Sequence, residues 1–445
     1  MTFTEENLQE RLQQLLPSAW EIEDTQVSST TFLENTLLHR LTTINDKLHE
    51  SDAKTILESL KRDLQPTNSL EANKEFTKIL REGKKYQRDA DDQAEYIDLI
   101  DFDNPENNEF TAVPEAQYQE QTSGVRFDYV LYVNGIPLVV VECKSTAQGT
   151  TVDNAIQDLQ YYEDAEPRFF TPVLFNAAVD GDHFRYGAPG ASEKYYFPWK
   201  TDEGRDEVEQ AVEELFNPET LLDILQYFVF YEGNDAKIIP RYMQYEAANR
   251  VVQRLQEGQP RKGLIWHTQG SGKTYTMLYI AYKAEQVKAL DKAKYVIIVD
   301  RDQLNEQLQG NLESIDYTLF DVAKTSNHLE KLLGQDKSHL IVTTIQKFED
   351  VGDDLTAEND YETVVLVDEA HRFMEKKLGN KLHSAITNPY YFGFTGTPVQ
   401  EGNRDTFDEF SPDGETYLHR YSIKDGQRDG FIVPVRFEVK QGIWD

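Results

Sequence analysis

Apolar positions in the first hundred residues recur at helical spacing. LQERLQQLL, LLHRLTTIND and AKTILESLKRDL each place leucine or isoleucine on one stripe, so residues 1 to about 115 are predicted to be mainly helical. DADDQAEYIDLIDFDNPENNEF breaks that period with acidic and turn-forming residues and reads as a surface excursion. From Val125 the pattern changes: VRFDYVLYV alternates, IPLVVVECK is nearly continuous in β-branched residues, and Asn134-Gly135 between them is a hairpin signal. Residues 151–165 return to helical period, strand-like pieces run to FPWK near Lys200, and EVEQAVEELF and ETLLDILQYFVFY form a helical connector. From about Ile239 the strings GLIWH, YVIIVD, HLIVTTI, TVVLVD and YYFGF alternate with polar or helical stretches, as in a parallel α/β sheet. The expected organisation is a first domain at 1–205, a connector at 206–240, a sheet domain at 241–415 and a tail at 416–445.

Composition narrows the function classes. A length of 445 residues suits two to three domains, taking about 150 residues for each. One cysteine, Cys143, excludes an internal disulfide framework and a cysteine-rich zinc site, and is expected simply to pack. The N-terminus MTFTEENLQE has no apolar signal core, and no stretch is long enough to cross a bilayer, so a soluble, cytoplasmic protein with no membrane partner is expected. The net charge of -34 argues against a protein that grips nucleic acid over its whole surface. DNA contacts would have to lie in local basic patches or be supplied by partner subunits.

Two stretches carry recognisable chemistry. In the second half, GLIWHTQGSGKTYTM reads as strand, Gly-rich turn and helix, with His267 at the place where the usual pattern has its first glycine. Gly270, Ser271 and Gly272 would turn backbone N–H groups toward a nucleotide's phosphates at the positive end of the following helix. Lys273 would reach the outer phosphates and the Thr274 hydroxyl would hold Mg2+. Downstream, VVLVDEAHR ends a buried strand in acids: Asp368 would bind Mg2+, Glu369 would orient and deprotonate the attacking water, and His371 would couple nucleotide state to the next motif. In the first half, Asp128 precedes Glu142 by fourteen positions, and Glu142 and Lys144 are two apart on a strand, so they share a face. Asp128 and Glu142 would make a hard oxygen site for Mg2+, with Lys144 positioning the nucleophile or supporting charge. A D…ExK string alone is ordinary; its place after IPLVVV at a core edge is not, because desolvated charges there need a reason.

These residues carry resemblances. The loop 267–274, Asp368–His371, Thr395-Gly396-Thr397-Pro398, TTIQKF (Thr343 to Phe348), VDRDQL (Val299 to Leu304) and PRYMQYEAANRVV together resemble superfamily two helicases and translocases, which implies that Gln244 reads the adenine of ATP. Asp128 and Glu142-Cys143-Lys144 resemble the PD-(D/E)xK nuclease fold, with Phe127 where that family has proline. Gln157 and Tyr161 are spaced as in its QxxxY motif, and Glu5, Glu6 and Glu10 are undistinguished candidates for a further acid. The order, nuclease then RecA-like motor lobe, resembles the restriction subunit of type I restriction-modification enzymes. That family implies ATP and Mg2+ as cofactors, double-stranded DNA as substrate, and methyltransferase and specificity subunits as partners. YSIKDGQRDGFIVPVRFEVK resembles a crossover toward a second motor lobe, so the chain is expected to be cut off after its first. ATP binding would then survive, whereas efficient hydrolysis and translocation by the chain alone would not, for want of that lobe's arginine finger. A type III-like nuclease-helicase and a non-catalytic remnant that binds nucleotide or DNA are the alternatives.

Overall fold

The computed structural model describes residues 4–433 apart from 25–26, 65–68, 89–92, 120–123, 203, 234–235, 300–319, 336–339, 349–350, 352–360, 374–385, 387 and 402–403. The chain forms two compact units, Met1–Tyr242 and Met243–Asp445.

The first unit opens with helices α1 (Glu5–Leu15), α2 (Glu34–Ile44), α3 (Glu50–Asp63) and α4 (Ser69–Glu82), matching the helical period of the sequence. Thr4 caps α1, its side chain accepting from the Asn7 N–H, and α1 buries Leu8 and Leu12. The seven-stranded mixed sheet has the order β1 (Trp20–Ile22), β2 (Phe110–Tyr118), β3 (Val125–Val133), β4 (Ile136–Cys143), β5 (Phe175–Val179) and β6 (Phe184–Gly187), with Val27–Ser28 paired to β2. β3 and β4 form an antiparallel hairpin, while β4 and β5 run parallel. That parallel step needs a crossover, and helix α5 (Val152–Ala165) supplies it. At the hairpin turn Asn134 has φ 52° and Gly135 φ 78°, the pair of left-handed residues that a two-residue turn requires. Every residue of β4 is buried, which explains its unbroken apolar run. Helices α6 (Glu207–Leu215) and α7 (Pro218–Tyr227) follow, and a short antiparallel pair of strands, Phe230–Glu232 with Ala236–Ile238, closes the unit.

The second unit is built on an all-parallel sheet. Helix α8 (Tyr242–Glu257) leads into β7 (Lys262–His267), followed by α9 (Lys273–Gln286), β8 (Ala293–Val299), β9 (Phe320–Val322), β10 (Leu340–Thr344), β11 (Glu362–Val367), β12 (Tyr390–Thr395) and β13 (His419–Tyr421). Their order in the sheet is β9-β10-β8-β11-β12-β7-β13. The five strands read from the sequence are present; β9 and β13, three residues each, were not anticipated. Core residues Val296, Ile298, Ile341, Val365 and Val367 alternate with residues facing the other side of their strands, which are buried too. The fold is therefore α/β: a PD-(D/E)xK-like mixed-sheet unit followed by a RecA-like parallel-sheet unit. Among the described residues no helix is long and apolar enough to cross a membrane.

Candidate active sites

In the first unit, strand register brings the two acids together. Near the turn, Val133 pairs with Ile136 and Tyr132 with Pro137; beyond a bulge, Leu131 pairs with Val139 and Tyr129 with Val141. Leu138 thus has no partner on β3, and the shift sets Asp128 across from Glu142, on the same face. Without the bulge Asp128 would lie across from Val141, and Glu142 would point to the other face. Both carboxyls are buried. Asp128 Oδ2 accepts from the Cys143 N–H at 2.7 Å, and Asp128 Oδ1 accepts from Gln9 Nε2 on α1 at 2.9 Å. Lys144 Nζ donates to Glu142 Oε1 at 2.7 Å and lies 2.5 Å from Asp158 Oδ2. Tyr162 OH lies 3.4 Å from Glu142 Oε1.

The electrostatics follow from burial. Desolvation, reinforced by the Asp128 charge and only partly offset by Lys144, pushes Glu142 up to about 8. Desolvation also raises Asp128 despite the Cys143 N–H that favours its charged form. Burial alone would pull the Lys144 ammonium down, but its bonds to Asp158 and Glu142 outweigh that and raise it. Glu142 Oε2 is buried and has no hydrogen-bond partner among the described residues. Two desolvated carboxyls with an orphaned oxygen fit a hard cation such as Mg2+, which would offset the repulsion. Among the described residues no group of three or more His, Cys, Asp or Glu side chains is arranged to hold a metal ion.

Helix α5 approaches the site in a phase that its motif spacing does not reveal. Gln157 and Tyr161 are exposed, and neither hydrogen-bonds Asp128, Glu142 or Lys144. The helix residues that do touch the site are Asp158 and Tyr162, one position further along. Phe127, where the resembling family has proline, stacks on Phe169 at 4.6 Å and meets the Tyr162 ring edge-on at 5.4 Å, so it buttresses the tyrosine beside Glu142. Of the three N-terminal glutamates, Glu6 and Glu10 are exposed, whereas Glu5 is half-buried and its charge bears on Asp128. Cys143 is buried, and burial pushes its thiol far up, so it packs as an unreactive apolar residue.

In the second unit the C-terminal ends of β7, β11 and β12 bring their loops together. Gly270 and Gly272 both adopt left-handed φ, and α9 starts at Lys273. Gln244 Nε2 donates to the carbonyls of Ser271 and Gly272 at 3.0 and 3.2 Å; a Cβ on Gly272 would lie 2.3 Å from that nitrogen. Ser271 Oγ is buried without a partner among the described residues, an orphan that a phosphate oxygen would satisfy. Lys273 is buried, its ammonium 3.9 Å from Glu369 Oε1, and Thr274 is half-buried one residue on. Glu369 has φ 47°, a strained backbone for a residue with a Cβ, and its N–H donates to Asp368 Oδ1 at 2.9 Å. His371 Nδ1 lies 3.4 Å from Glu369 Oε2 and 2.9 Å from Thr395 Oγ1, linking the acidic strand end to the 395–398 segment. Gly396 abuts the Gly-rich loop: a Cβ there would lie 3.0 Å from the Gln269 nitrogen. In TTIQKF, Thr343, Thr344, Ile345 and Phe348 are buried, leaving Gln346 exposed and Lys347 half-buried. VDRDQL lies outside the described residues except for Val299.

Comparison with known proteins places both units. Residues 2–195 match the family model of the type I restriction enzyme R protein N terminus, and residues 243–443 match that of the SWI2/SNF2 ATPase. The type I restriction enzyme HindI endonuclease subunit of Haemophilus influenzae is 31% identical over 460 aligned positions, covering 93% of this chain and 42% of that protein. The SsaAORF53P endonuclease subunit of Staphylococcus saprophyticus is 29% identical, covering 81% of this chain and 40% of its own. A solved Sulfolobus solfataricus SWI2/SNF2 ATPase core in complex with dsDNA superposes with a TM-score of 0.32 at 15% identity, over 43% of this chain and 38% of that one, a likeness too partial to add to the assignment. The chain spans about two fifths of the length of the curated relatives it matches. It belongs to the type I restriction enzyme R-subunit family, joining the R-protein N-terminal region to an SWI2/SNF2-type ATPase region.

Proposed function

We propose that the chain is part of the restriction subunit of a cytoplasmic type I restriction-modification system, in which ATP hydrolysis moves double-stranded DNA and unmodified DNA is cut with Mg2+. The observation that carries this reading is one chain holding, in order, a desolvated Asp128–Glu142 pair bridged to Lys144 and a Gly-rich loop facing Glu369. Asp128 and Glu142 would hold Mg2+, which when bound activates water and offsets charge on the scissile phosphate. Lys144, anchored by Asp158, would hold the nucleophile or the phosphate in place, and Gln157 and Tyr161 stand exposed on α5 where DNA can reach them.

In the ATPase region, Gln244 would read the base, and Gly270, Ser271 and Gly272 would cradle the phosphates. Lys273 would meet their outer oxygens, and Thr274 and Asp368 would hold Mg2+. Glu369 would take the proton of the attacking water, and His371 would pass nucleotide state to Thr395. Methyltransferase and specificity subunits are the partners this reading requires, and they would supply much of the phosphate contact that a strongly acidic chain is ill suited to make. The test is Mg2+-dependent, DNA-stimulated ATP hydrolysis by the purified chain, with and without those subunits, using Lys273→Ala as control. Hydrolysis that needs DNA and partners supports the reading. Nucleotide binding unaffected by Lys273→Ala would remove its basis.

A further inference from the structure

His267 opens the Gly-rich loop and is fully buried, yet among the described residues its ring nitrogen Nδ1 has no hydrogen-bond partner. Its other nitrogen, Nε2, lies 2.7 Å from Nδ1 of His419 on β13, and His419 Nε2 lies 3.0 Å from Glu246 Oε2 on α8. The protons along this chain can be counted. A carboxylate only accepts, so His419 Nε2 carries a hydrogen and donates it to Glu246. A neutral His419 then accepts at Nδ1 from the Nε2–H of His267, which leaves His267 Nδ1 as a bare acceptor. The alternative, a doubly protonated His419, would put the hydrogen of His267 on its buried Nδ1 with nothing to accept it; orphaned buried N–H groups are rarer than orphaned acceptors. Burial, then the neighbouring His419 and Lys273, hold His267 well below the ordinary histidine range, in keeping with a neutral ring.

The roles assigned to the loop use none of these three groups. Helix α8 nevertheless grips the loop twice: through Gln244 at the carbonyls of Ser271 and Gly272, and through Glu246 and His419 at His267. Backbone pairing adds to the second grip, since the Thr268 N–H donates to the Tyr421 carbonyl at 2.9 Å. We propose that Glu246, His419 and His267 form a positioning relay that fixes the root of the Gly-rich loop against α8 and β13, so that its backbone N–H groups stand ready for a nucleoside triphosphate. The relay rests on the reading of this loop as a phosphate cradle. His419 is its positioning residue, touching no phosphate itself.

Three replacements of His419 separate hydrogen bonding from packing. Asparagine keeps a polar atom near the place of Nδ1 and so faces His267; glutamine reaches toward Glu246 instead; leucine keeps only bulk. With Mg2+ and a fluorescent N-methylanthraniloyl-ATP as probe, His419→Gln and His419→Leu should bind on the order of five- to tenfold more weakly, as expected for one lost buried hydrogen bond. His419→Asn should recover most of that loss. In the nucleotide-free protein, 15N NMR of the histidine rings should find His267 protonated on Nε2. Unchanged affinity in the glutamine and leucine variants, equal loss in all three, or a proton on Nδ1 of His267 would each overturn the relay. Lys273→Ala, run alongside, tests the cradle separately: retained binding there rejects the phosphate reading, while the ring protonation still judges the relay without any nucleotide.

Discussion

Replacing Glu142 by glutamine removes a costly buried charge from the first unit while keeping its shape and an acceptor for Lys144 and Tyr162. The folded-state value of about 8 stands above the ordinary 4.5, so between these two pH values the folded chain holds a proton that the unfolded chain has released. Stability must therefore fall as pH rises through this window, the loss being complete above about 8. The span, 8 minus 4.5, is 3.5 pH units, and at about 1.4 kcal/mol per unit it sets an upper bound of roughly 5 kcal/mol. Water entry and adjustment of Lys144 toward Asp158 will relax part of it, so about 2–3 kcal/mol should be measurable. With divalent cations chelated, Glu142→Gln should match the parent chain near pH 4.5 and exceed it by that amount at pH 9 in urea unfolding of the first unit. Adding Mg2+ at pH 9 should raise the parent's midpoint and leave the variant's nearly unmoved, because the cation needs the carboxylate. A stability gap that is the same at both pH values would refute the reasoning.

Lys273→Ala should abolish ATP binding by calorimetry with little change in thermal midpoint, because the ammonium's described ion pair, with Glu369, is long at 3.9 Å. Lys144→Ala should eliminate Mg2+-dependent DNA cleavage in the assembled enzyme and leave ATP affinity unaltered, since the lysine belongs to the other unit. Gly272→Ala should weaken ATP binding by about tenfold or more, because a Cβ there meets Gln244 at 2.3 Å on top of roughly 1–2 kcal/mol of left-handed backbone strain. Gly270→Ala, with open space around its Cβ, should incur the strain alone and so bind more tightly than the Gly272 variant.

Local chemistry made some features readable in the sequence. Asn134-Gly135 encodes its own turn, and the β-branched run IPLVVV after it reads as a strand at a core edge. The strings around Lys273 and Asp368 likewise announce strand ends of a parallel sheet. Features set by tertiary packing were not readable. Gln157 and Tyr161 have the same spacing of four as Asp158 and Tyr162, and burial of Val152, Ala155, Ile156 and Leu159 decides which pair turns toward Glu142. The same holds for α1, where burying Leu8 and Leu12 brings Glu5 and Gln9 near Asp128 and leaves Glu6 and Glu10 in solvent. Strands β9 and β13 are too short to show a period, and each is held by its parallel neighbour. The link between His267 and His419 spans 152 positions and leaves no local trace.

The bulge at Leu138 also constrains how this hairpin can evolve. Inserting or deleting one residue in either strand between the turn and the acids would rotate one carboxyl to the opposite face and separate the pair. Length changes are compatible with the site only when both strands change together. The turn limits even those, because Gly135 is lodged against α2: its carbonyl accepts from the Leu33 N–H at 2.9 Å, and an added Cβ would lie 2.5 Å from the Leu33 carbonyl oxygen. Asn134 is wholly buried and donates to the Leu99 carbonyl while accepting from the Glu109 N–H. Clamped at the tip and fixed in parity at the base, the fourteen-position separation of Asp128 and Glu142 is a structural invariant of this hairpin, and indels in descendants of this gene should accumulate outside it.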